Sequence, residues 1–273
     1  MNKGYLIQAN TEKEILQARL LCDSIKTRNK DASVSLVTKL SESYKGYDNV
    51  IDYKFSPMPE TRQNDYQLYW ASPYDYTITI DCRTVVMENQ DSLWDYLLDH
   101  HNICFPVQCK DYRMMPLYDH KFSVFANDYK LKKVYSNMFY FDKSESSLRY
   151  FKLLDPISKN WRDTQNTMFA KQHVDLFYQP DMMHTIVANR IDVDVFPFDP
   201  NILSYIDMRS VLVNGMLKDA EKWTSMFSIW STSGKKLKLQ NYSINNTLYY
   251  HEDEFYQEKI ANDFRHSREE TLN

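Results

Sequence analysis

The stretch GYLIQANTEKEILQARLLCDSIKTRNKDASVSLV, residues 4–37, decides the fold. Residues 4–9 form a short apolar run that reads as a buried strand. Thr11 and Glu14 make the T-x-x-E spacing of a capping box, which opens a helix to about Arg28. Ile15, Ala18, Cys22 and Ile25 give that helix an apolar stripe at helical spacing. Asn29-Lys30-Asp31 breaks it, and Val34-Ser35-Leu36-Val37 reads as a second strand. Strand, helix and strand within about 40 residues is a βαβ unit, so the sheet is expected to be parallel.

Further elements follow outward from that unit. Tyr66 to Ala71 reads as helical and is ended by Ser72-Pro73. Thr77-Ile78-Thr79-Ile80 is a β-branched strand that terminates at Asp81, and polar residues at the carboxyl end of a parallel strand lie where α/β sheets place ligands. Asp91 to His101 reads as a helix with Leu93, Trp94, Leu97 and Leu98 inward. Residues 103–107 and 138–141 are strand candidates. Ser144 caps a helix to about Leu154, stopped by Pro156. A shorter helix is expected after Asp181, then a strand over 193–198. The last third reads as irregular and aromatic, with a strand around 247–250. Residues 262–273 (NDFRHSREETLN) read as a polar, frayed tail. The reading is one mixed α/β domain over 1–261 with an elaborated C-terminal half.

Composition sets bounds on function. The chain has 273 residues, 43% hydrophobic and 26% charged, which is ordinary globular usage. Glycine is scarce: about 19 would be typical for this length, but only Gly4, Gly46, Gly215 and Gly234 occur. No two lie within a few residues of each other, which excludes the G-x-G-x-x-G fingerprint, the Walker A loop and the G-x-S-x-G elbow. With 33 basic and 37 acidic side chains the net charge is −4, so no global field recruits polyanions. Cys22, Cys82, Cys104 and Cys109 contain no C-x-x-C pair and read as free thiols in a reducing compartment. No apolar run approaches about 18 residues, and the start lacks an apolar h-region, so a soluble, cytoplasmic protein without membrane contact is expected.

Candidate chemistry is thinly spread. There is no H-E-x-x-H, zinc-type Cys/His spacing or EF-hand loop. His100 and His101 read as solvated or packed, and His120, His173, His184 and His266 have no partner in sequence. His251 follows a strand-like run and opens the acidic stretch His-Glu-Asp-Glu, which on composition suits an exposed hairpin end. Asp81 and Arg83 have two readings. A carboxylate there can hold a metal or a ribose hydroxyl while a guanidinium clamps phosphate; equally, Asp81 can cap a turn and Arg83 can sit in a surface ion pair. The aromatic clusters Tyr66-Tyr69-Trp70 and Met138–Phe141 suit a core. Lys130–Lys133 and Lys235–Lys238 are basic clusters whose default is a solvated face.

The order of these segments resembles the GT-A glycosyltransferases, and more specifically variants encoded by T4-like phages. Residues 4–9, Ser24-Ile25-Lys26 and Ser35–Thr38 resemble the family's opening. Residues 73–83 (PYDYTITIDCR) resemble its P-Y-D-x-T-I-x-L-D-x-D block. Tyr112-Arg113 resembles a Y-R pair, residues 134–144 (VYSNMFYFDKS) a Y-S-x-x-x-Y-F-x-K-S block, and Asn160-Trp161 an N-W pair. Pro180-Asp181, Gln240-Asn241-Tyr242 and Tyr250-His251 resemble its later blocks.

The resemblance implies a Rossmann-like GT-A fold, a mixed and mostly parallel sheet flanked by helices, with a nucleotide-binding half to residue 110 and an acceptor-side half over 111–261. It implies transfer of a sugar from a nucleoside-diphosphate sugar to a hydroxyl acceptor. Carried over, Asp81 and His251 hold a divalent metal, Mn²⁺ or Mg²⁺, and Asp181 is the catalytic or acceptor-orienting carboxylate. Gln8, Ala9, Asn10, Asp81, Arg83 and Asn137 contact the donor. Three positions depart from the pattern. The second aspartate of D-x-D is Arg83, the lysine after the histidine is Glu254, and an N-R pair reads Asn64-Asp65. Arg83 can compensate the leaving diphosphate in place of a metal; alternatively the chain is a degenerate GT-A scaffold that binds a nucleotide or a protein. A T4-like setting implies a hydroxymethylated base in phage DNA as acceptor, inside the infected cell, with a glycan or protein as alternatives. The basic clusters would then hold the backbone.

Overall fold

The computed structural model describes residues 2–40, 44–117, 120–168, 180–196, 203, 205–208 and 223–272. The chain opens with β1 (Lys3–Gln8), α1 (Glu12–Arg28), β2 (Val34–Val37) and β3 (Asn49–Ile51). A 3-10 segment at Thr61–Gln67 leads to α2 (Leu68–Ala71), β4 (Tyr76–Asp81) and β5 (Thr84–Val85). Next come α3 (Asp91–His100), β6 (Ile103–Phe105), α4 (His120–Asp128), β7 (Met138–Asp142), α5 (Glu145–Lys159) and α6 (Trp161–Met168). Then follow α7 (Pro180–Ile191), β8 (Asp194–Val195), β9 (Tyr205–Asp207) and α8 (Trp223–Met226). Finally β10 (Ile229–Thr232), β11 (Lys236–Leu239), β12 (Tyr242–Ile244), β13 (Thr247–Tyr249) and a 3-10 turn at Asp253–Phe255 lead to α9 (Glu258–Leu272).

The expected α/β architecture is present. Seven strands form one mixed, mostly parallel sheet in the order β3-β2-β1-β4-β7-β6-β8, in which β7 alone runs against its neighbours. β1 and β4 are near-continuous apolar runs because helices cover both faces of a parallel sheet. The capping box is formed: Thr11 Oγ1 accepts from the Glu14 N–H at 3.2 Å and Glu14 Oε2 accepts from the Thr11 N–H at 3.0 Å. Register then fixes the functional edge. Gln8 pairs with Val37 on one side and Asp81 on the other. The crossovers from β1 go one way to β2 while β4 lies on the opposite flank, so the crevice opens beyond Gln8 and Asp81.

A second sheet, β5-β13-β9, takes strands from both ends of the chain, and β10-β11-β12 form an antiparallel meander. The aromatic segment 138–141 is core, as expected, with every side chain essentially buried. All four cysteines are buried free thiols. Among the described residues no helix is long and apolar enough to cross a membrane.

Three expectations need correction. Pro156 does not stop α5, which runs on to Lys159 with the proline inside it. The carbonyl that proline cannot serve belongs to Lys152, which lies on the exposed side of the helix. Residues 262–273 are not a frayed tail: all but Asn273, which lies outside the described residues, belong to α9, which packs along α1. Phe264 is fully buried and Arg268 reaches Asp23 at 2.7 Å. Gly234 fits beneath this helix, at φ 60°, where a Cβ would come within 2.8 Å of the Phe264 backbone. The last third is not irregular, since it contains the meander. Of the strand expected over 193–198, Asp194–Val195 is formed; residues 197–198, like His173, lie outside the described residues.

Candidate active site

A cleft of about 320 Å³, measured to its open mouth, lies at the carboxyl edge of β1 and β4 and is lined by Gln8, Glu14, Thr61, Arg62, Asp65, Asp81, Cys82, Arg83 and Ser136 among others. β4 delivers Asp81 there as its last residue, and the turn into β5 folds Arg83 back on it. Asp81 Oδ1 accepts from the Arg83 N–H at 2.9 Å and from Arg83 Nε at 3.1 Å. Oδ2 accepts from Arg83 Nη2 at 3.1 Å and from Arg62 Nη1 at 2.9 Å. Four N–H groups thus fill the four lone-pair directions of one carboxylate. Burial alone would raise the Asp81 pKa, but the Arg83 and Arg62 charges outweigh it and hold the group well below the usual carboxylate range. Arg83 is raised in turn, chiefly by Asp81.

Arg62 is the residue that sequence reading missed. Its Nε donates to Asp65 at 3.0 Å and its Nη2 to the Ser136 carbonyl at 2.7 Å. Where the resemblance leads to an N-R pair and this chain has Asn64-Asp65, a guanidinium is supplied by Arg62, three positions before Asp65. The legible signal was the Arg62/Asp65 spacing of three, which brings both side chains to one side of a helical turn. Asp65 is also buried and accepts from Gln8 Nε2. His184 Nε2 stands 2.9 Å from Asp65 Oδ2, and the Tyr150 hydroxyl lies 2.6 Å from His184 Nδ1. Burial would raise the Asp65 pKa, yet Arg62 and His184 hold it down.

The remaining expected residues fall around this centre. Ala9 is buried in the backbone of the β1 edge, where its N–H donates to the Val37 carbonyl at 3.1 Å. Asn10 is buried behind Gln8, and both bond the Tyr53 hydroxyl, at 2.9 and 3.1 Å. Asn137 bridges Arg62 at 3.4 Å and the buried Asp207 at 3.3 Å. Asp181, at the start of α7, accepts from the Ser136 N–H at 2.7 Å and from its hydroxyl at 2.8 Å. It stands behind Ser136 and is absent from the residues that line the cleft. His251 is exposed in a turn at φ 61°, 3.3 Å from the Tyr249 hydroxyl, and the Tyr249 ring lies 5.6 Å from the Arg83 guanidinium carbon. Tyr112-Arg113 packs instead against Phe227 and Tyr242, beside the meander.

A divalent metal does not fit this donor set. Asp81 has no free lone pair, and a dication on it would sit against two guanidinium groups. Among the described residues no three His, Cys, Asp or Glu side chains converge as a metal cluster. Anion contact fits better. Among the described residues Arg83 Nη1 makes no hydrogen bond, while Nε and Nη2 are fixed on Asp81. The carboxylate holds the guanidinium plane and leaves one edge open.

No family model and no curated protein matches the chain. Among solved structures it is similar to the glycosyltransferase GlyE of Streptococcus pneumoniae TIGR4, with 10% identity and TM-score 0.46, covering 74% of this chain and 46% of that one. It is similar to the galactosyltransferase LgtC, with 11% identity and TM-score 0.43, covering 70% and 72%. A mouse xyloside xylosyltransferase 1 gives 14% identity and TM-score 0.45, covering 73% and 86%. The chain spans about half the length of GlyE.

Proposed function

We propose that the chain is a GT-A-type glycosyltransferase that moves a sugar from a nucleoside-diphosphate sugar to a hydroxyl acceptor. The observation that carries this reading is the open edge of Arg83, braced by Asp81 at the crevice of the sheet. In the reaction the acceptor oxygen bonds to the anomeric carbon, the bond from that carbon to the diphosphate breaks, and the acceptor loses a proton. Arg83 stabilises the charge gathering on the departing diphosphate. Gln8, Ala9, Asn10 and Asn137 bound the donor side. Asp181 orients the acceptor side through Ser136, whose hydroxyl it holds. A hydroxymethylated base in DNA is the acceptor we favour, with Lys130–Lys133 and Lys235–Lys238 available for phosphates.

One observation favours the alternative of a catalytically degenerate, nucleotide- or protein-binding scaffold. Arg62 and Arg83 are balanced by Asp65 and Asp81, and Glu14 adds a further carboxylate to the lining. The cleft therefore has no surplus positive charge for a diphosphate. Thermal denaturation with a panel of nucleoside diphosphates and their sugars separates the readings. A ligand at 100 times its Kd adds about 2.7 kcal/mol of stability. A shift that survives EDTA, with sugar release from that donor, supports the transferase. A shift without turnover supports the scaffold, and no shift with any donor removes the nucleotide site.

A further inference from the structure

The meander carries an outer face that neither the core nor the cleft uses. β11 alternates Lys236, Leu237, Lys238 and Leu239, so its leucines point inward and its lysines outward. Leu237, Leu239 and Ile244 are buried and complete the inner packing. On the opposite side Trp230 is 64% exposed. In register it stands beside Lys238, which stands beside Ser243, and Thr232 stands beside Lys236 in the next row. Among the described residues Lys236 and Lys238 have no ion-pair partner, and Lys235 lies a loose 3.9 Å from Glu270.

We infer that this face binds single-stranded nucleic acid, with Trp230 as a stacking platform and Lys236 and Lys238 as phosphate contacts. The surface offers an exposed indole with one uncompensated lysine, Lys238, directly beside it and a second, Lys236, on the diagonal. That combination is complementary to a chain alternating aromatic rings and negative charges. An exposed base face is available only in an unpaired strand, so a duplex, whose bases are stacked, cannot use Trp230 in this way. A neutral glycan could stack on the indole, but it would leave both lysines without a role. The inference deepens the DNA-acceptor reading, with which it shares Lys236 and Lys238, but it uses no cleft residue, so strand binding and donor binding can fail separately.

The test uses the full chain and a fluorescein-labelled oligothymidylate, followed by anisotropy across a salt series and by intrinsic tryptophan fluorescence. Saturable binding with quenching of the exposed indole is expected. Trp230→Ala should weaken it by roughly tenfold, since a stacked base is commonly worth that much. Replacing Lys236 and Lys238 together with glutamine should reduce the slope of log K against log salt by about 1.4. Among the described residues Trp230 belongs to neither hydrophobic core cluster, so unchanged melting of Trp230→Ala certifies its fold. The inference is overturned by absence of saturable binding at low salt, or by Trp230→Ala binding as the parent does. It is equally overturned if duplex DNA or a neutral oligosaccharide binds as tightly and depends on Trp230 to the same degree.

Discussion

His184 Nε2 and Asp65 Oδ2 stand 2.9 Å apart in a part of the core where neither side chain is more than 1% exposed. With the Tyr150 hydroxyl donating to Nδ1, the ring carries its proton on Nε2 and donates it to the carboxylate. The histidine is therefore neutral in the folded chain, in line with a pKa that burial depresses against the pull of Asp65. It supports Asp65, and Asp65 supports Arg62.

This arrangement predicts how stability depends on pH. The imidazole pKa is lowered on folding from its ordinary 6.5, so the unfolded chain takes up the proton first as the pH falls. Asp65 and Asp81 are depressed from 3.8, and their contribution is present above that value and lost in acid. All three slopes have the same sign. In a Glu88→Gln background, which removes the opposing carboxyl of that pH range, urea denaturation should show stability falling from about pH 7 to 5 through His184, then more steeply below about pH 4. His184→Gln should flatten the upper limb and leave the lower one.

The two arginines on Asp81 should separate in their effects. Arg62 holds two buried carboxylates, so Arg62→Ala leaves uncompensated charge inside the protein and should cost about 3–5 kcal/mol. Arg83 is partly exposed and Arg62 remains on Asp81 without it, so Arg83→Gln should cost about 1 kcal/mol. The same Arg83→Gln variant should lose the melting shift produced by a nucleoside diphosphate. Equilibrium unfolding and thermal shift on the two variants check both statements.

Arg83→Asp would restore an aspartate two positions after Asp81. It removes one of the two guanidinium groups and frees two lone pairs on Asp81, one on each oxygen. Nucleoside-diphosphate binding should then require Mn²⁺ and be abolished by EDTA, whereas the parent's is indifferent to both. Equal EDTA sensitivity in parent and variant would contradict the donor-set argument.

Glu88 should act with the opposite sign. It accepts from the Thr247 N–H at 3.2 Å and hydroxyl at 3.1 Å, and burial pushes its carboxyl up to about 7 despite those bonds. Ionising it costs the folded state stability as pH rises from 4.5 to about 7. Glu88→Gln keeps an acceptor for Thr247 and removes that cost. Its melting temperature should exceed the parent's at about pH 8, with the gap closing towards about pH 4.

The sequence carried β1, α1, β2 and β4 well, because each signal there is local, whereas β3 at Asn49–Ile51 and the 3-10 segment at Thr61–Gln67 were not read. The Thr11/Glu14 cap, the stripe on α1 and the β-branched run into Asp81 all act within one or two turns. The meander and α9 were hidden for a different reason. Lys236–Leu239 alternates over only four residues, and α9 buries Phe264 and Ser267 beside an arginine whose partner, Asp23, is 245 positions away. The site was half legible. Asp81 and Arg83 stood out as the end of a strand, but beyond its local bond to Asp65 Arg62 enters the site through Asp81, 19 positions away, and His184 through Asp65, 119 positions away. No spacing rule reaches that far.

The docking of α9 on α1 ties two segments far apart in sequence into one unit. Asp23 is buried between Arg19 and Arg268, and Phe264 is buried in the same contact. Cutting the chain ahead of residue 258 would therefore bare a flank of α1 and take one of two guanidinium groups from a buried carboxylate, so α9 unfolds with the sheet that α1 covers and not ahead of it.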